Sequence, residues 1–462
     1  MRKIFILAFL FWGFSEMSNA QNNGEVDANM LNEIRSDFTL DASSRAIQNA
    51  VTNSESIRDL SLNRAKIGQI DHFFSYRVDV KGITDQESSG RCWMFTSMNT
   101  MRPEVMKKFN LSSFDFSHNY NYFWDIFEKS NFFLENIIAT GDRKMDDREV
   151  VTYFKSPVND GGVWNSFFNV AKKYGVVPNE VMPETKASNN TREITSLINK
   201  KLRGEGYKIR ELIAAKASHK EVQNAKMSAL KAIYRMLALS LGEPPVNFTW
   251  RYKDTDGNVS KSKVYTPKEF LAEINPEFAN TQLVMIMNDP TREYYKVYQI
   301  KNYRNVEEGI DWTYLNLPNE EIKKFAVASI KNNEAMYASC DVGKQHNRKA
   351  GVMDVNTYDY ASLFGVEFDM DKKARVLTRE SGSTHAMTLI GVDLDENGVP
   401  AKWEFENSWG TEAGNNGYLT FTDEWFSEYM FRVVINKNYL DEKSKKALES
   451  KAILLPVWDY MF

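Results

Sequence analysis

Gln86-Glu87-Ser88-Ser89-Gly90-Arg91-Cys92-Trp93 runs from a glycine-bearing turn straight into an apolar stretch that includes Trp93, Met94, Phe95, Met98 and Met101. That spacing predicts a helix apolar on every side, hence central and buried. Pro103 is expected to end or kink it. A cysteine in the first turn of such a helix meets the positive end of the helix dipole and unsatisfied backbone N–H groups. Both lower a thiol pKa toward the thiolate. Gln86, six residues earlier, can bring its side-chain amide beside the Cys92 N–H, and two such donors make a site for a tetrahedral oxyanion.

A thiolate nucleophile needs an imidazole partner, and the chain has five histidines: His72, His118, His219, His346 and His385. His385 opens an apolar strand (Ala386, Met387, Leu389, Ile390, Val392) that runs to an Asn397-Gly398 turn. The return strand, with Trp403 and Phe405 alternating, ends at Asn407. Antiparallel pairing brings His385 and Asn407 to the same end of this hairpin. There the Asn407 amide can accept from the ring N–H and fix the tautomer, with Trp409 shielding the bond from water. The other four histidines lack a patterned partner and read as structural or exposed.

The 462 residues carry 58 basic and 62 acidic side chains, a net charge of −4 that offers no electrostatic footprint for nucleic acid. Two cysteines exclude a disulfide scaffold and a cysteine-rich zinc module. Arg2 and Lys3 precede an apolar run, Ile4 to Phe14, and Ser18-Asn19-Ala20 follows with small residues where a signal peptidase reads. The run is too short to span a bilayer, and no later stretch reads as a membrane span. We read 1–20 as a signal peptide and the protein as exported, to the periplasm or outside the cell. Its removal leaves a charge of about −5. Residues 21–75 read as an N-terminal arm and 76–185 as a helical lobe. Residues 186–248 read as a helical insertion with basic and apolar residues at helical spacing, 249–436 as a β-rich lobe, and 437–462 as a C-terminal arm. Lys437, Lys443, Lys445, Lys446 and Lys451 read as a solvated face.

Cys92 as an inert core thiol and a Cys92–Cys340 disulfide are the competing readings of the cysteines; Cys340 reads as buried and structural. Asp393-Leu394-Asp395-Glu396-Asn397-Gly398 followed by Glu404 satisfies a calcium-loop pattern. That loop needs helices on both flanks, and here both read as strands. A tight acidic hairpin with Glu404 facing solvent is the better reading.

Together, Gln86, Cys92-Trp93, His385-Ala386 and Asn407-Ser408-Trp409-Gly410 resemble the papain-like cysteine peptidases. More narrowly, the chain resembles their bleomycin hydrolase and aminopeptidase C branch. Further stretches carry that likeness: Leu241-Gly242-Glu243-Pro244-Pro245, Cys340-Asp341-Val342-Gly343-Lys344, Thr384-His385-Ala386-Met387, Asp423-Glu424-Trp425-Phe426 and Leu455-Pro456-Val457-Trp458-Asp459. The separation of 293 residues between Cys92 and His385 exceeds the ~130–150 of simple papain-like enzymes; the insertion and extra loops account for it. The resemblance implies an α+β, papain-like two-lobed fold: a helical left lobe, a β-barrel-like right lobe and a helical insertion, with the cleft between the lobes. It implies peptide substrates, a Cys92 thioester, His385 as acid and base, Asn407 orienting it, and an oxyanion hole from Gln86. It also implies aminopeptidase specificity, a homohexameric ring, and no metal or organic cofactor. Asp160-Gly161-Gly162 would line the cleft and bind substrate backbone through Gly161 and Gly162, although a plain turn glycine pair reads the same way. Two positions depart from the branch. Asp85 stands where asparagine is usual, and can raise the Cys92 pKa or face solvent. The chain stops at Tyr460-Met461-Phe462, about three residues sooner than the tail whose carboxylate holds the substrate amine in the branch. Phe462 is the candidate for that contact, and the short tail leaves an endopeptidase or a di- or tripeptidyl-peptidase as the alternative.

Overall fold

The Asn397-Gly398 turn folds strand His385–Leu394 against Pro400–Glu406 in antiparallel register, with Leu389 opposite Phe405 and Thr388 opposite Glu406. The Asp395 carboxylate accepts from the backbone N–H groups of Asn397 (2.9 Å) and Val399 (2.8 Å), and Gly398 supplies the left-handed φ of +78°. The computed structural model describes residues 24–460. The proposed signal peptide and Phe462 lie outside the described residues.

Around this hairpin grows a large mixed sheet. Met336–Cys340 pairs antiparallel with the His385 strand on its other side, placing Cys340 opposite His385. Beyond it follow Met430–Asn436, Leu283–Met287, Thr313–Asn316, Lys296–Ile300 and Ile453–Leu455. Beyond Pro400–Glu406 follow Tyr418–Thr422, Val352–Met353 and His346–Asn347. Alternation along these strands buries Met387, Leu389, Phe405, Phe421 and Val433 in one apolar cluster.

The first half is helical, as its periodicity predicts. The Cys92 helix spans Cys92–Phe109, and Trp93, Met94, Phe95 and Met98 are all buried. It continues through Pro103. A proline here lacks the N–H of one helical hydrogen bond and sets its ring against the carbonyl four residues back, a cost that burial of this apolar helix offsets. The helix ends instead at Asn110, in the left-handed region with φ 51°. His118–Ala139 begins at Ser117, whose hydroxyl accepts from the Tyr120 N–H at 3.0 Å. Arg192–Ala214 and His219–Leu241 are two long helices within 186–248, and both pack on His118–Ala139. A second apolar cluster unites these helices with the Cys92 helix.

Residues 24–61 form a separate unit of three helices, Ala28–Asp37, Ala42–Asn53 and Ile57–Leu60, capped by Asp27, Asp41 and Ser56. Among the described residues no helix is long and apolar enough to cross a membrane.

Candidate active site

Cys92 is the first residue of its helix, and the preceding Arg91 gives the helix no side-chain cap. The Met94 and Phe95 N–H groups donate to the Arg91 carbonyl (2.8 and 3.1 Å), and the Cys92 and Trp93 N–H groups before them have no side-chain cap. Arg91 is fully buried and turns away from the cleft, bonding both Glu184 carboxylate oxygens (2.9 and 3.0 Å) and the Ser89 hydroxyl (3.0 Å). The Cys92 residue keeps partial exposure in the cleft and is a free thiol, as is the buried Cys340. Burial pushes the Cys92 thiol up to about 11, with Asp160 adding to it; hydrogen bonds from the backbone N–H groups of Ala386, Trp93 and Cys92 oppose that shift without overcoming it. The N–H groups of the helix terminus thus pull the thiol pKa down, as position predicts, while burial pushes it the other way.

The Ala386 N–H beside the sulfur brings the Cys92 helix against the start of the His385 strand. His385 Nε2 lies 2.8 Å from Asn407 Oδ1, and that same oxygen accepts from the Ser408 N–H at 2.8 Å. Two donors converging on one atom fix which end of the amide faces the ring. The imidazole proton therefore sits on Nε2, leaving the Nδ1 lone pair as the base. Trp409 lies with its ring centroid 4.7 Å from that of His385 and covers the pair, as its place next to Asn407 suggests. Burial lowers the His385 pKa to about 4, with the Asn407 bond opposing. Each group alone thus resists charge. A proton passing from Sγ to Nδ1 creates both charges together, where each stabilises the other.

Gln86 is buried and held at both ends of its amide. Its Oε1 accepts from the Ser408 hydroxyl (2.7 Å) and its Nε2 donates to the Ser89 carbonyl (2.6 Å). The second Nε2–H is left to serve the cleft that Gln86 and Cys92 both line. The Gln86 N–H also donates to the Ser408 carbonyl at 2.9 Å, stitching the turn before Cys92 to the segment after Asn407.

Gly161 and Gly162 both line the same cleft, but they differ in what they offer. The Gly161 N–H donates to Asn159 Oδ1 (3.0 Å) and its carbonyl accepts from Lys129 Nζ (2.6 Å). The Gly162 N–H and C=O have no protein partner among the described residues. A Cβ at Gly162 would stand 2.7 Å from the Trp93 ring, so only glycine fits between that ring and the cleft. The Asp160 carboxylate accepts from the Gly90 N–H at 2.7 Å and from the Thr191 hydroxyl, and its carbonyl accepts from Trp93 Nε1 at 2.8 Å. Asp160 and Ser408 fall inside stretches the sequence marks, but their contacts with Gly90 and Gln86, like that of Lys129 with the Gly161 carbonyl, reach segments far along the chain that no local pattern records.

Asp85 is exposed and accepts from the Glu87 N–H at 2.8 Å, so of its two readings the solvent-facing one holds. The acidic hairpin is a hairpin, and no metal-binding group of side chains occurs among the described residues. Glu404 does not face solvent: it is buried and pairs with Arg77 at 2.7 Å, because Tyr76–Arg77 adds a strand beside the hairpin that alternation alone does not reveal. His118 stacks on Phe95 at 3.5 Å, His72 Nδ1 lies 2.7 Å from the Thr420 hydroxyl, His346 is buried and His219 exposed.

A thiol at an uncapped helix terminus facing an asparagine-oriented imidazole across a two-part cleft defines a cysteine peptidase. Comparison with known proteins agrees. The profile of the Peptidase C1-like family matches residues 25–462. Bleomycin hydrolase from Rattus norvegicus is 38% identical over 457 residues, covering 96% of this chain and 99% of its own. Aminopeptidase C from Streptococcus thermophilus is 37% identical over 427 residues, covering 92% and 96%. The crystal structure of PepW from Lactobacillus rhamnosis HN001 matches with a TM-score of 0.90 at 36% identity, covering 95% of this chain and 98% of its own. This chain belongs to the Peptidase C1-like family, in its bleomycin hydrolase and aminopeptidase C branch.

Proposed function

We propose that this cysteine aminopeptidase hydrolyses peptides through a Cys92 thioester. The Cys92 Sγ–H proton passes to His385 Nδ1 as Sγ attacks the scissile carbonyl carbon. The oxyanion forms against the Cys92 N–H and the free Gln86 Nε2–H. When the intermediate collapses, Nδ1–H protonates the departing amine. Water then attacks the thioester with Nδ1 as base, releasing the acid and restoring the thiol. Asn407 holds the imidazole in the required tautomer throughout. The observation that carries this reading is the convergence of the His385 and Ser408 N–H groups on Asn407 Oδ1. Removal of N-terminal residues is the favoured specificity, supported by the aminopeptidase C relatives. A second reading, release of di- or tripeptides or internal cleavage, is favoured by the unpaired Gly162 N–H and C=O. Those groups are free to bind a residue on the amino side of the one being cut. The role of Phe462 as anchor for the substrate amine belongs to the same question.

The deciding experiment incubates the chain from Gln21 under reducing conditions with one peptide in free-amine and N-acetylated forms, with Cys92→Ala as control. Stepwise loss of single residues from the free-amine form alone supports the aminopeptidase. Cleavage of the blocked form or release of longer pieces supports the second reading, and no cleavage of either overturns the catalytic assignment. Export through residues 1–20 and assembly into a homohexamer are part of the same proposal. The first is supported by the Arg2-Lys3, apolar and small-residue pattern, the second by resemblance to the branch. The N-terminus of the protein purified from its host tests export, and its mass in solution tests the ring.

A further inference from the structure

Three chain segments must keep their mutual positions for this site to work: the turn carrying Gln86, the helix carrying Cys92, and the strand end carrying Asn407. One buried guanidinium touches all three. Arg102 lies almost three turns along the Cys92 helix, and its side chain and that of Glu406 are almost entirely shielded from solvent. Its Nη1 donates to Asn99 Oδ1 on the same helix at 3.0 Å. Its Nη2 donates to the Gly82 carbonyl at 2.9 Å, four residues before Gln86, and to Glu406 Oε1 at 2.5 Å, next to Asn407. The contact is reinforced on both sides. Asn99 Nδ2 donates to the Thr84 hydroxyl at 3.1 Å, and the Gly410 N–H donates to the Thr84 carbonyl at 3.1 Å. Asp115, 3.8 Å from Nη1, is a second, half-exposed anion on the same group.

A planar fork with fixed donor directions ties three segments where a lysine ammonium, a single flexible point charge, would not. A buried ion pair is weak evidence of stability as such, because desolvation offsets most of its attraction; its best-attested use is to fix registry. The place of this pair, between the residue that holds the imidazole and the helix that holds the thiol, is where registry matters.

We propose that Arg102, through Glu406, is a positioning residue that sets the register of Asn407 and His385 against Cys92. The proposal rests on the assignment of Cys92, His385 and Asn407 above. Its test uses Arg102→Lys and Glu406→Gln, with Arg375→Lys as a control that disturbs an ion pair outside the cleft lining, that with Glu428. Steady-state constants on an aminoacyl amide, the pH profile of Cys92 alkylation by iodoacetamide, and Tm are measured on each.

Both test variants are expected to lose about tenfold or more in kcat with KM within twofold, since small displacements of reacting groups cost this much. The alkylation profile is expected to move to higher pH, because a displaced imidazole takes the thiol proton less readily. The control should lower Tm alone. Test variants that behave like the control, with kcat and the alkylation profile unmoved, overturn the proposal. Should the single variants fail to fold, Arg102→Met with Glu406→Leu replaces the pair by apolar side chains that cores accept. It is then expected to fold with the same loss of kcat, and parental kcat in that variant overturns the proposal. A parent protein that neither cleaves peptides nor loses activity on alkylation would instead overturn the assignment of the site itself.

Discussion

Replacing Asn407 by alanine should separate activity from stability. In the structure the amide is 1% exposed and its Oδ1 takes the His385 Nε2–H at 2.8 Å under the Trp409 ring. Once the thiol proton has moved, that bond is a charge-assisted one to an imidazolium, and such bonds contribute about 1.5–3 kcal/mol. The bond is stronger in the charged intermediate than at rest, so the loss falls on kcat rather than on KM. At about 1.4 kcal/mol per decade, kcat should drop about 10- to 150-fold. Stability should respond more modestly. Asn407 Nδ2 is buried with no partner among the described residues, so truncation removes one unsatisfied group while orphaning two buried donors, the Ser408 N–H and the His385 Nε2–H, a net cost of about 1–3 kcal/mol that leaves the protein folded without urea. The assay is hydrolysis of a fluorogenic aminoacyl amide across substrate concentration, with urea unfolding followed on the same samples. A kcat within threefold of the parent would refute the reasoning that the amide fixes the tautomer, and so would a fall in kcat that merely tracks the unfolded fraction.

Three further outcomes are expected. In Cys92→Ala, where no thiolate can form, His385 should titrate near pH 4, because burial penalises the imidazolium; a midpoint at or above 6.5 in NMR spectra of the ring would contradict this. Gly162→Ala should cripple turnover of peptides, since the new Cβ would lie within 3.0 Å of three Trp93 ring atoms and Trp93 is pinned by its bond to Asp160; unaltered kcat/KM would show that the ring yields. Glu184→Ala leaves the fully buried Arg91 guanidinium without its anion and should cost about 3 kcal/mol of unfolding free energy in urea. The exposed pair Lys445–Glu442, broken by Glu442→Ala, serves as the control that should not move.

Short-range patterns carried much of this protein in plain view. The apolar run after Cys92 predicts its buried helix, and the spacing of His385 and Asn407 about the Asn397-Gly398 turn predicts that they meet. Both are local: one helix period and one hairpin register set them, and the structure places the two side chains 2.8 Å apart. What sequence misjudged were balances between a local term and its surroundings. The helix terminus favours a Cys92 thiolate, yet burial opposes it, and no local pattern carries that opposing effect. Alternation turns Glu404 outward, yet a strand from hundreds of residues earlier covers it. Sequence alone determined which residues are put forward for the chemistry and which local element presents each one. The tertiary structure alone decided what surrounds them: the Ser408 hydroxyl on Gln86, Lys129 on the Gly161 carbonyl, and Arg102 joining Gly82, Asn99 and Glu406. Two of those contacts, Ser408 on Gln86 and Arg102 on Glu406, link positions 322 and 304 residues apart, and no periodicity or spacing records a contact made only when distant segments of chain meet.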